Sequence, residues 1–298
     1  MAPVTTPALP ALVTPLTAAG DLHVDDLARL VASAVAEGAA GVLVAGSTGE
    51  GALLGVEGRA ELTRRTRAIV DASPYPDALV VAGASGATLD DVHADVARLA
   101  AAGADRVLVL APHTYPLRPE ELAAAHLAVA DRAEVDTFVY HIPHLTGSSL
   151  TPDALAEVAA HDRIVGVKDS SPDAARRAAF VTAVRGRSFA VFTGHAPSLR
   201  AALSAGVHGS ITAIANVRLR AVLALHAAVA EGDERSAERR QEELDRVTAA
   251  LAQVGTSVPA ALKAALQLEG RTEERWCRPP LASVPPPHLD RVRTALLR

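Results

Sequence analysis

The chain has 298 residues, of which 49% are hydrophobic and 21% charged, so it can bury a large α/β core and is not intrinsically disordered. Its net charge of −5, its pI near 6.1 and its aromatic content of 3% argue against nucleic acid or an anionic membrane as partner. The N-terminus lacks a signal-peptide pattern, no apolar run reaches spanning length and the single Cys277 cannot form an internal disulfide, so we expect a cytoplasmic protein.

From residue 7 to residue 216, short runs rich in Val, Ile and Leu alternate with amphipathic helical segments. Segments such as "DDLARLVASAVAEG" and "TLDDVHADVARLAAAG" open on Asp or Thr and close on Gly, the residues that cap helix ends. Eight such units joined by short loops predict an α/β fold, a (β/α)8 TIM barrel, with an open doubly wound sheet as the alternative. The predicted strands are residues 7–15, 41–46, 78–84, 106–112, 136–143, 164–170, 189–194 and 209–216.

After the eighth strand the pattern is wholly helical. Segments such as "RLRAVLALHAAVAEG" and "VPAALKAALQLEG" follow one another, and a last helix is expected after the proline run "SVPPPHLD". No stretch has the composition of a detached linker. We therefore expect a barrel over residues 1–217 and a C-terminal helical appendage, residues 218–298, packed on the barrel.

Lysine is rare in this chain. Only two of the 29 lysine and arginine residues are lysines, Lys168 and Lys263. Lys168 ends a run in which Ile164, Val165 and Val167 predict a strand buried on both faces. Burial favours the neutral form of an amine, which is a nucleophile, whereas arginine cannot act as one. We therefore take Lys168 as a candidate reactive lysine and Lys263 as an ordinary surface residue.

Polar side chains stand at the carboxyl ends of the predicted strands, where barrels of this type carry their reactive groups. Because side chains alternate along a strand, an inward-pointing Lys168 places Gly166 inward as well and leaves room beneath the amine. Tyr140 ends the neighbouring strand, about 5 Å from Lys168 by strand spacing, where a phenol can exchange protons with an amine. The other residues at these ends are Ser47, Thr48, His113, Thr114, Tyr115, His141, Gly194 and His195.

The turn "GSTGE" after the second strand has two interpretations. Successive backbone N–H groups and the hydroxyls of Ser47 and Thr48 would bind a carboxylate at a helix start, yet a plain glycine-rich turn has the same composition. The histidines near the barrel mouth offer nitrogen ligands for a divalent metal. Their spacings lack the tight pattern and acidic company of a metal site, so we expect no metal. These histidines are His113, His141, His144 and His195.

Four motifs taken together, "ALVTP", "GSTGE", "YHIPHLTG" and "GVKDSS", occur in this order along the chain. In order and spacing they resemble those of the dihydrodipicolinate synthase / N-acetylneuraminate lyase superfamily of pyruvate-dependent class I aldolases, and the likeness covers essentially the whole chain. The resemblance implies that Lys168 forms a Schiff base with pyruvate or another 2-oxo acid. It also implies that Ser47 and Thr48 bind the carboxylate and relay protons, that Tyr140 is the general acid/base and that Ile211 lies against the pyruvate methyl. Gly194 is a further expected substrate-binding position.

The chain departs from the family pattern in places that bear on the second substrate. Leu145 stands where synthases acting on aspartate semialdehyde have an arginine, so His141 and His144 are the expected polar contacts to a less charged aldehyde. The seventh-strand loop has "AP" at residues 196–197, where sialic acid lyases have acidic residues. The resemblance implies a catalytic tyrosine supplied by a neighbouring subunit, hence a homodimer or homotetramer. Thr114 occupies the usual position, so either Tyr115, which follows it, completes the proton relay, or the relay runs through Tyr140, Ser47 and water alone.

The sequence therefore predicts a lyase that makes or breaks a carbon–carbon bond between pyruvate, or another 2-oxo acid, and an aldehyde. The imine itself serves as electron sink, so no cofactor is expected. A 2-oxo acid dehydratase using the same imine, a dihydrodipicolinate synthase-like enzyme and a non-catalytic 2-oxo acid binding protein stay open as alternatives. The unusual Thr114 motivates the last of these.

Overall fold

The computed structural model describes residues 6–297 of the chain. Within them, eight parallel strands follow the order β1-β8-β7-β6-β5-β4-β3-β2, and a bridge between Ala11 and Leu43 closes β1 against β2. The predicted (β/α)8 barrel is confirmed, because an open sheet would leave two unpaired edges. The strands are β1 Ala8–Pro10, β2 Gly41–Val44, β3 Leu79–Ser85, β4 Arg106–Leu110, β5 Asp136–His141, β6 Ile164–Asp169, β7 Ala190–Thr193 and β8 Gly209–Thr212.

Helices alternate with these strands as the capping residues predicted. For example, the Thr88 side chain accepts a hydrogen bond from the Asp91 backbone, and the Asp91 carboxylate accepts one from the Thr88 backbone. No helix among residues 6–297 is long and apolar enough to cross a membrane. The helices are α1 Val24–Ala36, α2 Gly51–Asp71, α3 Leu89–Ala101, α4 Pro119–Ala130, α5 Pro143–Thr146, α6 Pro152–Val158, α7 Ala174–Ala183, α8 Leu199–Ser204, α9 Ala215–Glu231, α10 Glu234–Ala252, α11 Val258–Leu268 and α12 Leu289–Leu296.

The strands divide their side chains between two apolar layers. Alternation along each strand sends one set into the barrel and the other toward the surrounding helices. The inner layer fills the barrel, so the site can lie only above it, at the carboxyl ends of the strands. Residues of the inner layer include Leu9, Leu43, Val81, Leu108, Phe138, Phe192 and Ile211. Residues of the outer layer include Val42, Val80, Val107, Val139, Val167 and Val191.

The C-terminal helices pack against the barrel and one another. Helix α9 contacts β1, helices α10 and α11 pack on α9, and α12 packs on α10 and α11. The division of the chain at residue 217 stays a prediction, since α9 itself runs across that position. These helices bring residues from the last third of the chain to the carboxyl end of β2.

Candidate active site

Lys168 is a buried residue at the carboxyl end of β6. Its side chain points into the upper barrel and only 4% of the residue is exposed. Strand β5 pairs Tyr140 directly with Lys168, and the lysine Nζ lies 4.5 Å from the centre of the tyrosine ring. The tyrosine OH lies in turn 3.2 Å from the Ser47 Oγ. The predicted neighbourhood of amine, phenol and hydroxyl is therefore present.

The space next to Lys168 differs from the sequence prediction. Gly166 does not leave a void beneath the amine, because the Phe138 ring occupies that space: a Cβ on Gly166 would lie 2.8 Å from the ring carbon Cδ1. Room is instead preserved beside the lysine at Gly194, where an added Cβ would stand 3.0 Å from the Lys168 Cε and 2.2 Å from the Ser170 Oγ. Gly194 thus keeps the flank of Lys168 open.

The "GSTGE" turn winds tightly between β2 and α2. A Cβ on Gly51 would lie 1.7 Å from the Ala45 carbonyl oxygen, so only glycine fits there. The Thr14 hydroxyl donates to the Gly49 carbonyl over 2.6 Å and links the turn to the segment that follows β1. Among the described residues, the backbone N–H groups of Ser47 and Thr48 have no protein acceptor. The turn can therefore receive an anion, as expected of a carboxylate-binding loop.

A cavity of about 210 Å³ adjoins this turn at the barrel mouth. Ser47 and Tyr140 line its floor, and His113, Leu145 and Leu281 are among its walls. The lining is mainly apolar and includes neither lysine nor arginine. Its one carboxylate belongs to Glu50, which is paired with a lysine outside the cavity.

His141 was predicted to contact substrate, and the structure contradicts this. The residue alternates with Tyr140 along β5, so its ring points out of the barrel and is fully buried. Its Nδ1 lies 2.7 Å from the Asp169 carboxylate, and its Nε2 accepts a hydrogen bond from the Leu150 backbone. With both ring nitrogens engaged, His141 has no free group for substrate.

Asp169 joins this buried network directly behind Lys168. The Arg177 Nε donates to its carboxylate over 3.0 Å, and the Ser171 backbone N–H donates over 3.1 Å. Burial by itself raises the pKa of Asp169, but the hydrogen bond from His141 and the charge of Arg177 outweigh burial and lower this pKa. An ionised Asp169 therefore links β5, β6 and α7, and fixes the strand that carries Lys168.

The remaining predicted site residues occupy two settings. Ile211 is buried inside the barrel, among the apolar residues of the inner layer. His195 hydrogen-bonds through Nδ1 to the Ser198 Oγ, and burial, followed by the charge of Arg177, lowers its pKa. The others are exposed: His113, Thr114 and Tyr115 on the loop between β4 and α4, and His144 and Leu145 on the short helix α5.

The prediction for Lys263 is wrong. Lys263 is only 2% exposed, and its Nζ contacts the Glu50 carboxylate of the "GSTGE" turn. Sequence reasoning also missed Asp169, Arg177 and Leu281 near the site. The scarcity of lysine was the one signal that applied to Lys263, since it marked both lysines equally.

The fold and the lysine at the end of β6 define a barrel lyase of the aldolase type. Residues 5–297 match the profile of the Dihydrodipicolinate synthetase family. The chain is 32% identical over 286 residues, 96% of its length, to the 4-hydroxy-tetrahydrodipicolinate synthase of Gluconacetobacter diazotrophicus, of which the match covers 94%. This chain belongs to the dihydrodipicolinate synthase family.

Solved structures agree with this assignment. A prophage protein of the dihydrodipicolinic acid synthase family from E. coli K12, in complex with pyruvate, superposes with a TM-score of 0.91 at 27% identity. The superposition covers 98% of this chain and 97% of that one. A sialic acid aldolase of Ruminococcus gnavus has the same fold, with a TM-score of 0.91 at 21% identity over 100% of this chain and 96% of that one.

Proposed function

We propose that Lys168 forms an imine with pyruvate, or another 2-oxo acid, and that the enzyme makes or breaks a carbon–carbon bond at the carbon next to the imine. The arrangement of Lys168, Tyr140 and Ser47 carries the proposal. A nearly buried amine faces a phenol, which in turn reaches a hydroxyl next to an anion-binding turn. A family relative solved with pyruvate supports the choice of 2-oxo acid.

The geometry suggests a role for each group. The carboxylate of the 2-oxo acid is held by the free N–H groups of Ser47 and Thr48, which places the keto carbon near Lys168. The neutral amine attacks this carbon, and the carbinolamine loses water to form the imine. Tyr140 moves the protons that these steps require, with Ser47 as the next group in the relay.

The carbon–carbon step follows from the imine. Loss of a proton from the methyl group gives an enamine, because the imine nitrogen takes up the electron pair. The enamine carbon attacks the aldehyde carbonyl, the resulting alkoxide takes a proton, and water releases the product from Lys168. Cleavage runs through the same steps in reverse, so the site serves either direction.

The residues that line the cavity indicate the charge of the partner aldehyde. The cavity next to Tyr140 has neither lysine nor arginine in its lining, and Leu145, which is 59% exposed, supplies no donor. A substrate carboxylate there would lack a charged partner. We therefore infer an uncharged or hydroxylated aldehyde. Relatives named 4-hydroxy-tetrahydrodipicolinate synthase favour aspartate semialdehyde as the second candidate.

We also propose that the active unit is a homo-oligomer. Tyr115 lies on the loop between β4 and α4, and 77% of the residue is exposed. An exposed tyrosine at the barrel mouth is suited to reach a neighbouring subunit's site. Thr114, one residue earlier, has a shorter side chain, and its hydroxyl is a weaker acid than the phenol of Tyr115.

Borohydride trapping tests the imine. The protein is reduced in the presence of pyruvate, digested and mapped by mass spectrometry, with a sample lacking pyruvate as control. We expect the adduct on the peptide containing Lys168. Lys168→Arg keeps the charge but not the nucleophile and should remain folded without an adduct. A folded wild-type protein without an adduct at Lys168 would refute the proposal. If the adduct forms, a panel of aldehydes assayed for pyruvate consumption identifies the second substrate.

A further inference from the structure

A buried ion pair joins the "GSTGE" turn to the C-terminal helices. The Nζ of Lys263, on α11, contacts the Glu50 carboxylate and also donates to the Trp276 carbonyl over 2.6 Å. The other Glu50 carboxylate oxygen accepts a hydrogen bond of 2.7 Å from the Arg278 backbone. The Lys263 and Glu50 side chains are 2% and 0% exposed. Glu50, the last residue of the turn, is thus held between α11 and residues 276–278. Arg278 lies 228 positions after Glu50 in the chain.

The turn needs such an anchor because its backbone is strained. Ala45, which precedes the turn, and Glu50, which ends it, have φ angles of +54° and +59°, a left-handed conformation that disfavours residues with a Cβ. Between them lie the free N–H groups of Ser47 and Thr48. Strain of this kind persists only where the surroundings over-determine the conformation. The contacts of Glu50 supply that restraint at one end of the turn.

Lysine fits this position better than arginine would. The amine must fit between a carboxylate oxygen and a carbonyl oxygen in a space closed to solvent. An ammonium group is a compact charge with three donors, whereas the guanidinium group is a broad planar fork. In a chain where nearly every cationic residue is arginine, the second lysine therefore has a specific use.

The same contacts bring the C-terminal segment to the cavity. Arg278, whose backbone binds Glu50, also donates from its side chain to the Gly20 carbonyl over 2.6 Å. Three residues later, Leu281 forms part of the cavity wall. The ion pair, the "GSTGE" turn and this part of the cavity lining are therefore connected through Glu50 and Arg278.

We propose that Lys263 is a positioning residue, which holds the Ser47 and Thr48 N–H groups in place for the substrate carboxylate by way of Glu50. The inference rests on the proposed imine chemistry at Lys168. It predicts that loss of Lys263 weakens the binding of the 2-oxo acid while Lys168 stays reactive. A purely structural ion pair would instead change the stability of the protein and leave pyruvate binding as it was.

The test measures the pyruvate concentration that gives half-maximal borohydride trapping at Lys168, together with the thermal unfolding midpoint. The variants are Lys263→Met, the double variant Lys263→Met/Glu50→Gln and Leu262→Ala. Lys263→Met leaves Lys168 as the only lysine, so an adduct is assigned without ambiguity. The double variant removes both charges and avoids an unpaired buried carboxylate. Leu262→Ala creates a cavity on the same helix, where Leu262 is 2% exposed, and destabilises it without touching the ion pair.

We expect the half-maximal pyruvate concentration to rise at least about tenfold in both Lys263 variants, since small displacements of binding groups have large effects. The double variant should unfold closer to the wild-type temperature than Lys263→Met, and Leu262→Ala should bind pyruvate as the wild type does. Wild-type half-saturation in either Lys263 variant would overturn the inference, as would a double variant that fails to fold. An absence of adduct in the wild type would instead refute the imine chemistry itself.

Discussion

The Lys168 Nζ lies 4.5 Å from the centre of the Tyr140 ring, while the Tyr140 hydroxyl lies 3.2 Å from the Ser47 Oγ. The amine therefore contacts the face of the ring, and the phenolic oxygen is directed along the rim of the barrel toward the "GSTGE" turn. Tyr140 thus makes two separable contacts, one through its ring face with Lys168 and one through its hydroxyl with Ser47.

The Tyr140→Phe variant separates these interactions. It retains the ring face beside Lys168 and the packing of β5, but loses the hydroxyl that moves protons. We expect a folded protein whose turnover falls about 10²-fold or more, as for a lost general acid/base. Steady-state kinetics and the rate of borohydride trapping measure the effect. Ser47→Ala is the matched control for the lost hydrogen bond, and wild-type turnover in Tyr140→Phe would remove the phenol from the mechanism.

Leu145→Arg tests the assignment of an uncharged aldehyde. Leu145 stands at an exposed position of the cavity lining, where an arginine can be added without burial. We expect kcat/KM for aspartate semialdehyde to rise at least about tenfold, because a carboxylate gains a charged partner. Leu145→Gln controls for size without charge. If the wild type already uses aspartate semialdehyde within tenfold of its best substrate, the assignment is wrong.

Tyr115→Phe asks whether the exposed tyrosine takes part in proton transfer. We expect the oligomer and the trapped adduct to persist while turnover falls about 10²-fold. Size-exclusion chromatography with light scattering monitors assembly alongside the kinetics. Unchanged turnover would leave the relay to Tyr140, Ser47 and water. A joint loss of oligomer and activity would make the role of Tyr115 one of packing.

The buried histidine of α4 should make stability depend on pH. Burial lowers the pKa of His126 to about 4, and its Nε2 has no hydrogen-bond partner among the described residues. An unfolded histidine titrates near pH ~6.5. The unfolded chain therefore binds a proton first as the pH falls. The free energy of unfolding is at its full value above about pH 6.5 and decreases between about pH 6.5 and pH 4.

Chemical denaturation at several pH values measures this dependence. His126→Met fills similar space with an apolar side chain and should flatten the slope in that range by one proton, or about 1.4 kcal/mol per pH unit. His226 contributes in the same direction, because burial lowers its pKa to about 4, and it remains in the variant as an internal reference. An identical slope in His126→Met and the wild type would show that His126 is not titrated on unfolding.

Much of the fold follows from local sequence. The apolar alternation and capping residues of each unit specify strands and helices, and eight units in succession leave a closed barrel as the arrangement without unpaired edges. The ends of the strands then give the level of the site, because parallel strands bring their carboxyl ends to one rim. Lys168 and Tyr140 could be placed side by side for that reason, through the pairing of β5 with β6.

The tertiary structure decided how distant elements share the space around these residues. Phe138 fills the position under Lys168 because its ring, not a void, satisfies the packing of the inner layer. His141 turns to Asp169 because a buried carboxylate must be hydrogen-bonded. Lys263 contacts Glu50, more than 200 residues earlier in the chain, because α11 packs beside the turn. No local periodicity in the sequence encodes a contact between residues so far apart.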